Sequence, residues 1–184
     1  MITAPRHATR RASTGLVVVA ALLTGFTGLT ACTDSTGSAT PEALCDRTVD
    51  PDLLKPLLPS GEKVKAEQES VGDPKKSNCV VSVDGSRALT MVEYRDQNYF
   101  DVLKDLEKNS TDRDPQPSGT GNAAITDDAY VSLSPCPKRG SKSNYILRVT
   151  LSIPLDQARK KRSQLEKFAT AYEPEGLRAM GCTK

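Results

Sequence analysis

Four widely spaced cysteines, Cys45, Cys79, Cys136 and Cys182, constrain the fold of this chain more than any other feature. The closest two are 34 positions apart. A metal site built on four thiolates usually needs close CxxC pairs, so this spacing favours disulfides. Four cysteines allow three pairings. We predict Cys45–Cys79 and Cys136–Cys182, which place one bridge in each half of the domain.

The amino-terminal residues have the pattern of an export signal. Three arginines and no acid precede an apolar run over residues 16–23, and small residues follow up to Cys32. The run is shorter than the roughly 20 residues that a membrane-spanning helix needs, so we predict a signal peptide over residues 1–31. Arg10-Arg11 is compatible with twin-arginine export, whereas residues 12–14 depart from that pattern and favour the general pathway.

Residues 29–32 read Leu-Thr-Ala-Cys, which resembles the lipobox of bacterial lipoproteins. The resemblance implies that the Cys32 thiol carries a diacylglyceryl group and that the signal is cut before Cys32. It also implies that the protein is lipid-anchored at the outer face of the cell membrane. The alternative is an ordinary secreted protein with a chance cysteine. Residues 32–42 contain few apolar side chains, and we predict a flexible tether there.

Composition excludes several classes of function. The chain has 25 basic and 23 acidic residues, and loss of three arginines with the signal leaves 22 basic residues. A near-neutral domain lacks the field that attracts nucleic acid. The only histidine is His7, in the signal, which excludes histidine-dependent nucleophiles and imidazole zinc sites from the mature chain. No cofactor and no metal is predicted.

The hydrophobic pattern predicts a single α+β domain over residues 43–184. We expect an antiparallel sheet with the helices packed on one face. Asp84-Gly85, between two β-rich runs, predicts a hairpin with a type I′ turn. The other predicted elements are a short helix over 51–58, a weak strand over 62–70, a helix over 99–106 capped by Asp96, a loop over 109–123, strands over 130–133 and 145–153, and a long final helix ended by Pro174.

Several framework features recur along the mature chain. Residues 53–59 read Leu-Leu-Lys-Pro-Leu-Leu-Pro, one cysteine lies near the tether and another before the central strand, and the chain ends with Met180-Gly181-Cys182 and two more residues. In these features the chain resembles small actinobacterial lipoproteins of unknown function. These are framework residues, so the resemblance implies a fold and a location and no activity.

An SxxK motif and two pairs of acidic residues resemble catalytic or calcium-binding motifs, but neither has the context that such a site needs. Ser60-Gly61-Glu62-Lys63 matches the SxxK motif of penicillin-binding enzymes, but Gly61 after Pro59 disfavours the helical turn that this motif needs. The pairs Asp127-Asp128 and Asp112 with Asp114 lack the spacing of a calcium loop, and we interpret them as solvated turn acids.

Basic residues form two groups. Arg159, Lys160, Lys161 and Arg162 lie together on the final helix, and Lys138, Arg139 and Lys142 follow Cys136. With Cys136 bonded to Cys182, we expect both groups at the same end of the domain. The simplest interpretation is that Arg159–Arg162 lie on the solvent-exposed face of an amphipathic helix. The functional alternative is that they contact anionic lipid or a wall polymer.

Two functions remain open. The first is a non-catalytic binding or accessory module of the cell envelope, whose partners are the membrane, through its lipid anchor, and another envelope protein or a wall polymer. The second is a small hydrolase that uses two carboxylates. A deep pocket with two close carboxylates would favour the enzyme, and a shallow polar surface would favour the module.

Overall fold

The computed structural model describes residues 40–110, 114–119 and 121–183. The predicted signal peptide, Cys32 and most of the predicted tether lie outside these residues. The described strands are β1 (Ala43–Leu44), β2 (Arg47–Thr48), β3 (Val64–Glu69), β4 (Lys76–Val83), β5 (Ser86–Gln97), β6 (Gln116–Pro117), β7 (Ala123–Ile125), β8 (Ala129–Pro135) and β9 (Asn144–Leu151). The helices are α1 (Pro51–Leu54), α2 (Val102–Asn109), α3 (Leu155–Lys160) and α4 (Arg162–Ala179), and 3-10 turns occupy Lys55–Leu57 and Pro137–Arg139.

Seven strands form one antiparallel sheet in the order β3-β4-β5-β9-β8-β7-β6, and β1 and β2 form a separate small hairpin. The predicted type I′ turn is present between β4 and β5, since Asp84 and Gly85 have φ values of 51° and 79°. The Asp84 carboxylate also accepts hydrogen bonds from the backbone N–H groups of Glu62 and Lys63, which fixes the chain just before β3.

The two predicted disulfides are confirmed: Cys45 is bonded to Cys79 and Cys136 to Cys182. The first fastens the small β1-β2 hairpin to β4, and the second fastens the end of the chain to the loop after β8. A disulfide that closes a loop of this length stabilises a domain by about 4 kcal/mol, because it restricts the conformations of the unfolded chain.

The α+β class and the antiparallel sheet are confirmed. Alternate residues of a strand point to opposite faces, so the partners of each side chain reveal its face. Tyr145, Leu147 and Val149 of β9 belong to the main core with α1 and α4, and we call this side the inner face. Val131 and Leu133 of β8 pack instead with Val102 and Leu106 of α2. Helix α2 therefore covers β7 and β8 on the opposite side, which we call the outer face. The helices thus pack on both faces of the sheet, and not on one face as predicted.

Two predicted helix boundaries were wrong. Helix α2 is capped by Asp101, whose carboxylate accepts hydrogen bonds from the backbone N–H groups of Leu103 and Lys104, and not by Asp96. These bonds, first that from Lys104, lower the pKa of Asp101. Asp96 lies instead near the end of β5, with a φ of 61°, because β5 continues to pair with β9 as far as Gln97.

The final helix also differs from the prediction. It is divided at Lys161 into α3 and α4, and α4 continues through Pro174 to Ala179. Proline costs a helix one backbone hydrogen bond. Here the half-buried Leu177, which packs against the main core, and the disulfide at Cys182 hold the last turns in place.

Candidate functional site

An open groove on the outer face is the best candidate for a binding site. It has a volume of about 280 Å³ and lies between the ends of β5 and β9 and helix α2. Its lining residues are Tyr94, Gln97, Phe100, Asp105, Ile146 and Arg148. We call it the outer groove.

Strand register explains why these side chains meet. Tyr94 lies directly opposite Ile146 across the β5–β9 ladder, and Val92 lies opposite Arg148. Their neighbours Glu93 and Leu147 point to the inner face, so Tyr94, Ile146 and Arg148 point outward. Helix α2 then forms the second wall of the groove and brings Asp105 to Arg148.

The groove combines rings with charges that are already paired. The Arg148 guanidinium donates a hydrogen bond to the Asp105 carboxylate. Both side chains are about one-quarter exposed, so the ion pair borders the groove and still contacts solvent. The ammonium of Lys76 lies 5.3 Å from the centre of the Tyr94 ring on the side of β4. Tyr99, which precedes Phe100 in the chain, is 74% exposed.

A second cleft adjoins the outer groove at the same end of the sheet. It is wide and shallow, with a volume of about 580 Å³, and Gln97 lines both clefts. Its polar lining includes Asp96, Arg139 and Lys142. Asp96 accepts a hydrogen bond from the Ser143 hydroxyl at 3.3 Å and lies 3.9 Å from the Lys75 ammonium. The end of the domain that carries the Cys136–Cys182 bridge is therefore rich in accessible polar groups.

The inner face carries a charged cluster of a different kind, formed by Arg47, Glu93, Tyr145 and Tyr172, which we call the core cluster. Glu93 is only 1% exposed. Its carboxylate lies 3.1 Å from the Arg47 guanidinium, and it accepts hydrogen bonds from the Tyr145 hydroxyl at 3.0 Å and the Tyr172 hydroxyl at 3.4 Å. Burial, and next the negative charge of Glu93, raise the pKa of both tyrosines.

Helix α4 closes the core cluster. Gly176 faces it, and a Cβ atom there would overlap the Tyr145 hydroxyl and lie 2.6 Å from a Glu93 oxygen. Arg47 also donates to the Cys45 carbonyl at 3.2 Å, next to the first disulfide. The core cluster thus connects the small hairpin, the sheet and α4, and its polar atoms hold these elements together through hydrogen bonds.

Three of the four basic residues predicted to contact an anionic surface have partners within the protein, although the Arg159 side chain is still 69% exposed. Arg159 and Arg162 both reach the Asp127 carboxylate, at 2.7 and 3.5 Å. Lys161 donates to the backbone carbonyls of Pro56 and Leu58, and burial lowers its pKa. Lys160 is exposed. Contact of this segment with lipid or wall polymer stays a prediction.

The expectation that both basic groups share one end was wrong. Arg159–Arg162 precede or begin α4, whereas Cys182 follows its last turn. Because α4 has 18 residues, about 27 Å of helix separates the two groups. A disulfide to Cys136 places Lys138, Arg139 and Lys142 at the far end of the helix from Arg159.

The other sequence motifs do not assemble into sites. Ser60–Lys63 form an irregular turn before β3 and not a helical turn. Asp127 and Asp128 are buried, not solvated as predicted, because Arg159 and Arg162 bind the first and the hydroxyls of Ser110 and Thr126 bind the second. Asp112 lies outside the described residues. Within residues 40–110, 114–119 and 121–183, no three metal-ligating side chains gather in a group that could hold an ion.

Sequence reasoning missed the outer groove, although a signal was present. Tyr94, Tyr99 and Phe100 fall within seven positions in a chain that has only eight aromatic residues, and a local concentration of rings is typical of binding surfaces. The predicted helix over 99–106 included Tyr99, whereas α2 begins at Val102 and Tyr99 is exposed.

Comparison with models of known protein families, with curated proteins and with solved structures finds no match. Among the described helices, none has the length and apolar character needed to cross a bilayer.

Proposed function

We propose that this protein is a lipid-anchored, non-catalytic binding module of the cell envelope, held on the outer face of the membrane through Cys32. The lipobox-like sequence at residues 29–32 supports the anchor. The two disulfides support export, because such bonds persist in oxidising compartments.

The observation that carries the proposal is the separation of two ends of the domain. Thr40, the first described residue, lines a cleft with Pro59 and Gly61, next to the turn at Asp84. The outer groove lies at the other end of β5, around Tyr94, which is eight residues from the start of that strand. Eight strand residues span about 27 Å.

This separation suits a surface module. The chain from Cys32 enters the described domain at Thr40, and the outer groove lies at the opposite end of β5. We therefore expect a lipid on Cys32 to leave the groove accessible to a ligand.

The alternative, a carboxylate-dependent hydrolase, requires two acids in one cleft. Retaining and inverting glycosidases place them about 5 to 9 Å apart. Among the described residues, three clefts have a single lining carboxylate each, Asp50, Asp96 or Asp105, and another, at Thr40, has none. The binding module is therefore the better supported function.

Replacement of Cys32 tests the anchor. We expect the Cys32→Ser chain, produced in its native host, to move from the membrane fraction to the medium or to remain uncleaved. The parent chain should give a diacylglyceryl-modified amino terminus by mass spectrometry. A Cys32→Ser protein that is cleaved at the same position and is still fully membrane-bound would overturn the proposal.

The segment Arg159–Arg162 offers a secondary contact with anionic lipid at the same end. Lys161 binds the 56–58 turn, which also borders the Thr40 cleft, so the segment lies near the point where the chain enters the domain. Lys160→Glu is the clean test, because the other three cations have internal partners. The substitution should weaken binding to phosphatidylglycerol vesicles by about 1 kcal/mol or more. Unchanged binding would show that this segment does not contact anionic lipid.

A further inference from the structure

The aromatic side chains of the described residues divide between the two faces. Tyr130, Tyr145, Phe168 and Tyr172 are buried on the inner face. Tyr94, Tyr99 and Phe100 lie at or beside the outer groove, where each is at least partly exposed. Exposed rings are costly to keep in water and are concentrated where proteins bind ligands.

The two charged side chains that line the groove, Arg148 and Asp105, neutralise each other. Arg148 is paired with Asp105, so an anionic ligand would compete with Asp105 for the guanidinium. A cationic ligand would have to displace Arg148 from Asp105 and would be repelled by Lys76 near the Tyr94 ring. This arrangement favours a ligand with no net charge.

The polar groups that line the groove are planar and multivalent. A carboxylate accepts hydrogen bonds through two oxygens, and a guanidinium donates from a fixed fork. The Asp105 carboxylate also accepts from the Asn109 amide at 2.9 Å, and the Gln97 amide nitrogen donates to the Arg95 carbonyl at 2.8 Å, so these groups are held in position by neighbours. Side chains of this kind bind adjacent hydroxyl groups well. The face of an aromatic ring carries partial negative charge. It therefore attracts C–H groups, whose hydrogens are partially positive.

We propose that the outer groove binds a neutral oligosaccharide segment. A sugar ring has an apolar face of C–H bonds, which packs on Tyr94 or Phe100, and a rim of hydroxyls, which bonds to Asp105, Arg148 and Gln97. Tyr99 extends the surface beyond the groove for a second sugar unit. This inference rests on the proposed function, since an envelope polymer would supply the ligand, and it names the ligand class of that module.

Binding is measured on the purified full chain with both disulfides intact, by amide chemical-shift changes in NMR spectra. The neutral probes are the tetramer of β-1,4-linked N-acetylglucosamine and a mannose tetramer, and the acidic comparator is a galacturonic acid tetramer. We expect at least one neutral probe to give saturable shifts around Tyr94, Phe100 and Ile146 at millimolar concentration, and the acidic probe to bind at least tenfold more weakly.

Variants connect the shifts to the groove. Tyr94→Leu should weaken binding at least tenfold, Tyr99→Ser should weaken it several-fold, and Tyr94→Phe, which keeps the ring, should stay within threefold of the parent. Arg87→Ala is the matched control, since Arg87 lies at the other end of β5 and binds Glu69. The amide spectrum of each variant shows whether the fold is retained.

Three results would overturn the inference: no shift with either neutral probe up to 10 millimolar, stronger binding of the acidic probe, or parent-like affinity of a folded Tyr94→Leu variant. The assay is done in solution and does not depend on Cys32. Failure of the anchor in the Cys32→Ser experiment is thus distinguishable from failure of the groove to bind sugar.

Discussion

The two faces of the sheet use the same residue types in opposite ways. On the inner face, Arg47 and Glu93 form an ion pair that is sealed under α4 and fixed by two tyrosine hydroxyls. On the outer face, Arg148 and Asp105 form an ion pair beside open rings, with both partners still in contact with water. The comparison teaches that burial, and not residue type, separates a structural cluster from a candidate binding site.

This contrast makes the inner face sensitive to single substitutions. Arg47→Ala leaves the Glu93 carboxylate buried without its cation, and breaking a buried pair in this way costs about 3–5 kcal/mol. Urea unfolding measures the loss. The matched control is Arg87→Ala, whose ion pair with Glu69 is about half exposed and should cost less than about 1 kcal/mol. Equal losses in the two variants would contradict a structural role for the core cluster.

Gly176→Ala tests how tightly α4 closes over that cluster. In an open helix this change stabilises a protein by up to about 1 kcal/mol. Here the added methyl group overlaps the Tyr145 hydroxyl, so we expect a destabilisation of about 1–3 kcal/mol. Thermal and urea unfolding both report the sign, and a stabilised variant would show that the helix lies farther from the sheet.

The raised pKa of Tyr145 predicts a dependence of stability on alkaline pH. In the unfolded chain tyrosine ionises near pH 10, whereas in the folded chain burial and Glu93 keep Tyr145 protonated. The unfolded state therefore loses its proton first, and the stability falls as pH rises above about 10, by up to about 1.4 kcal/mol per pH unit for each such tyrosine.

Tyr145→Phe should make that decline shallower, and Tyr99→Phe, on the exposed ring, is the matched control. The free energy of unfolding is compared at pH 8, 9, 10 and 10.5. Parallel pH curves for the parent and Tyr145→Phe would mean that the inner hydroxyl does not stay protonated in the fold.

The smallest expected effect is on the outer face. Tyr99→Ser removes a side chain that is 74% exposed, so the free energy of unfolding should change by less than about 0.5 kcal/mol. A loss above 1.5 kcal/mol in urea unfolding would show that the ring contributes to the core, and the division between the faces would fail.

Much of the fold can be predicted from local sequence. The parts that could not be predicted are determined by contacts between residues far apart in the chain. The Asp84-Gly85 turn and the alternation along β9 are local signals, and both predictions are confirmed. Asp96 was wrongly predicted as a helix cap, because β5 gains its last residues from pairing with β9. Pro174 was wrongly predicted to end a helix whose last turns are held by the Cys182 bridge.

The candidate site was less predictable than the fold. Ion pairs such as Arg159 with Asp127 join residues 32 positions apart, so sequence alone did not show that Asp127 is buried. The outer groove likewise needs α2 to fold back on β9, which brings Asp105 to Arg148 across 43 positions. Only the local density of rings at residues 94–100 pointed to it.

One paired measurement tests the division between the faces most directly. Stability and binding of neutral tetrasaccharides are determined on the same two variants, Tyr94→Leu and Tyr145→Phe. We predict that Tyr94→Leu loses binding at least tenfold and unfolds within about 1 kcal/mol of the parent. Tyr145→Phe should keep the parent affinity and lose about 1–3 kcal/mol of stability, because Glu93 loses a hydrogen bond. The opposite pattern, or the loss of both properties in both variants, would contradict the account.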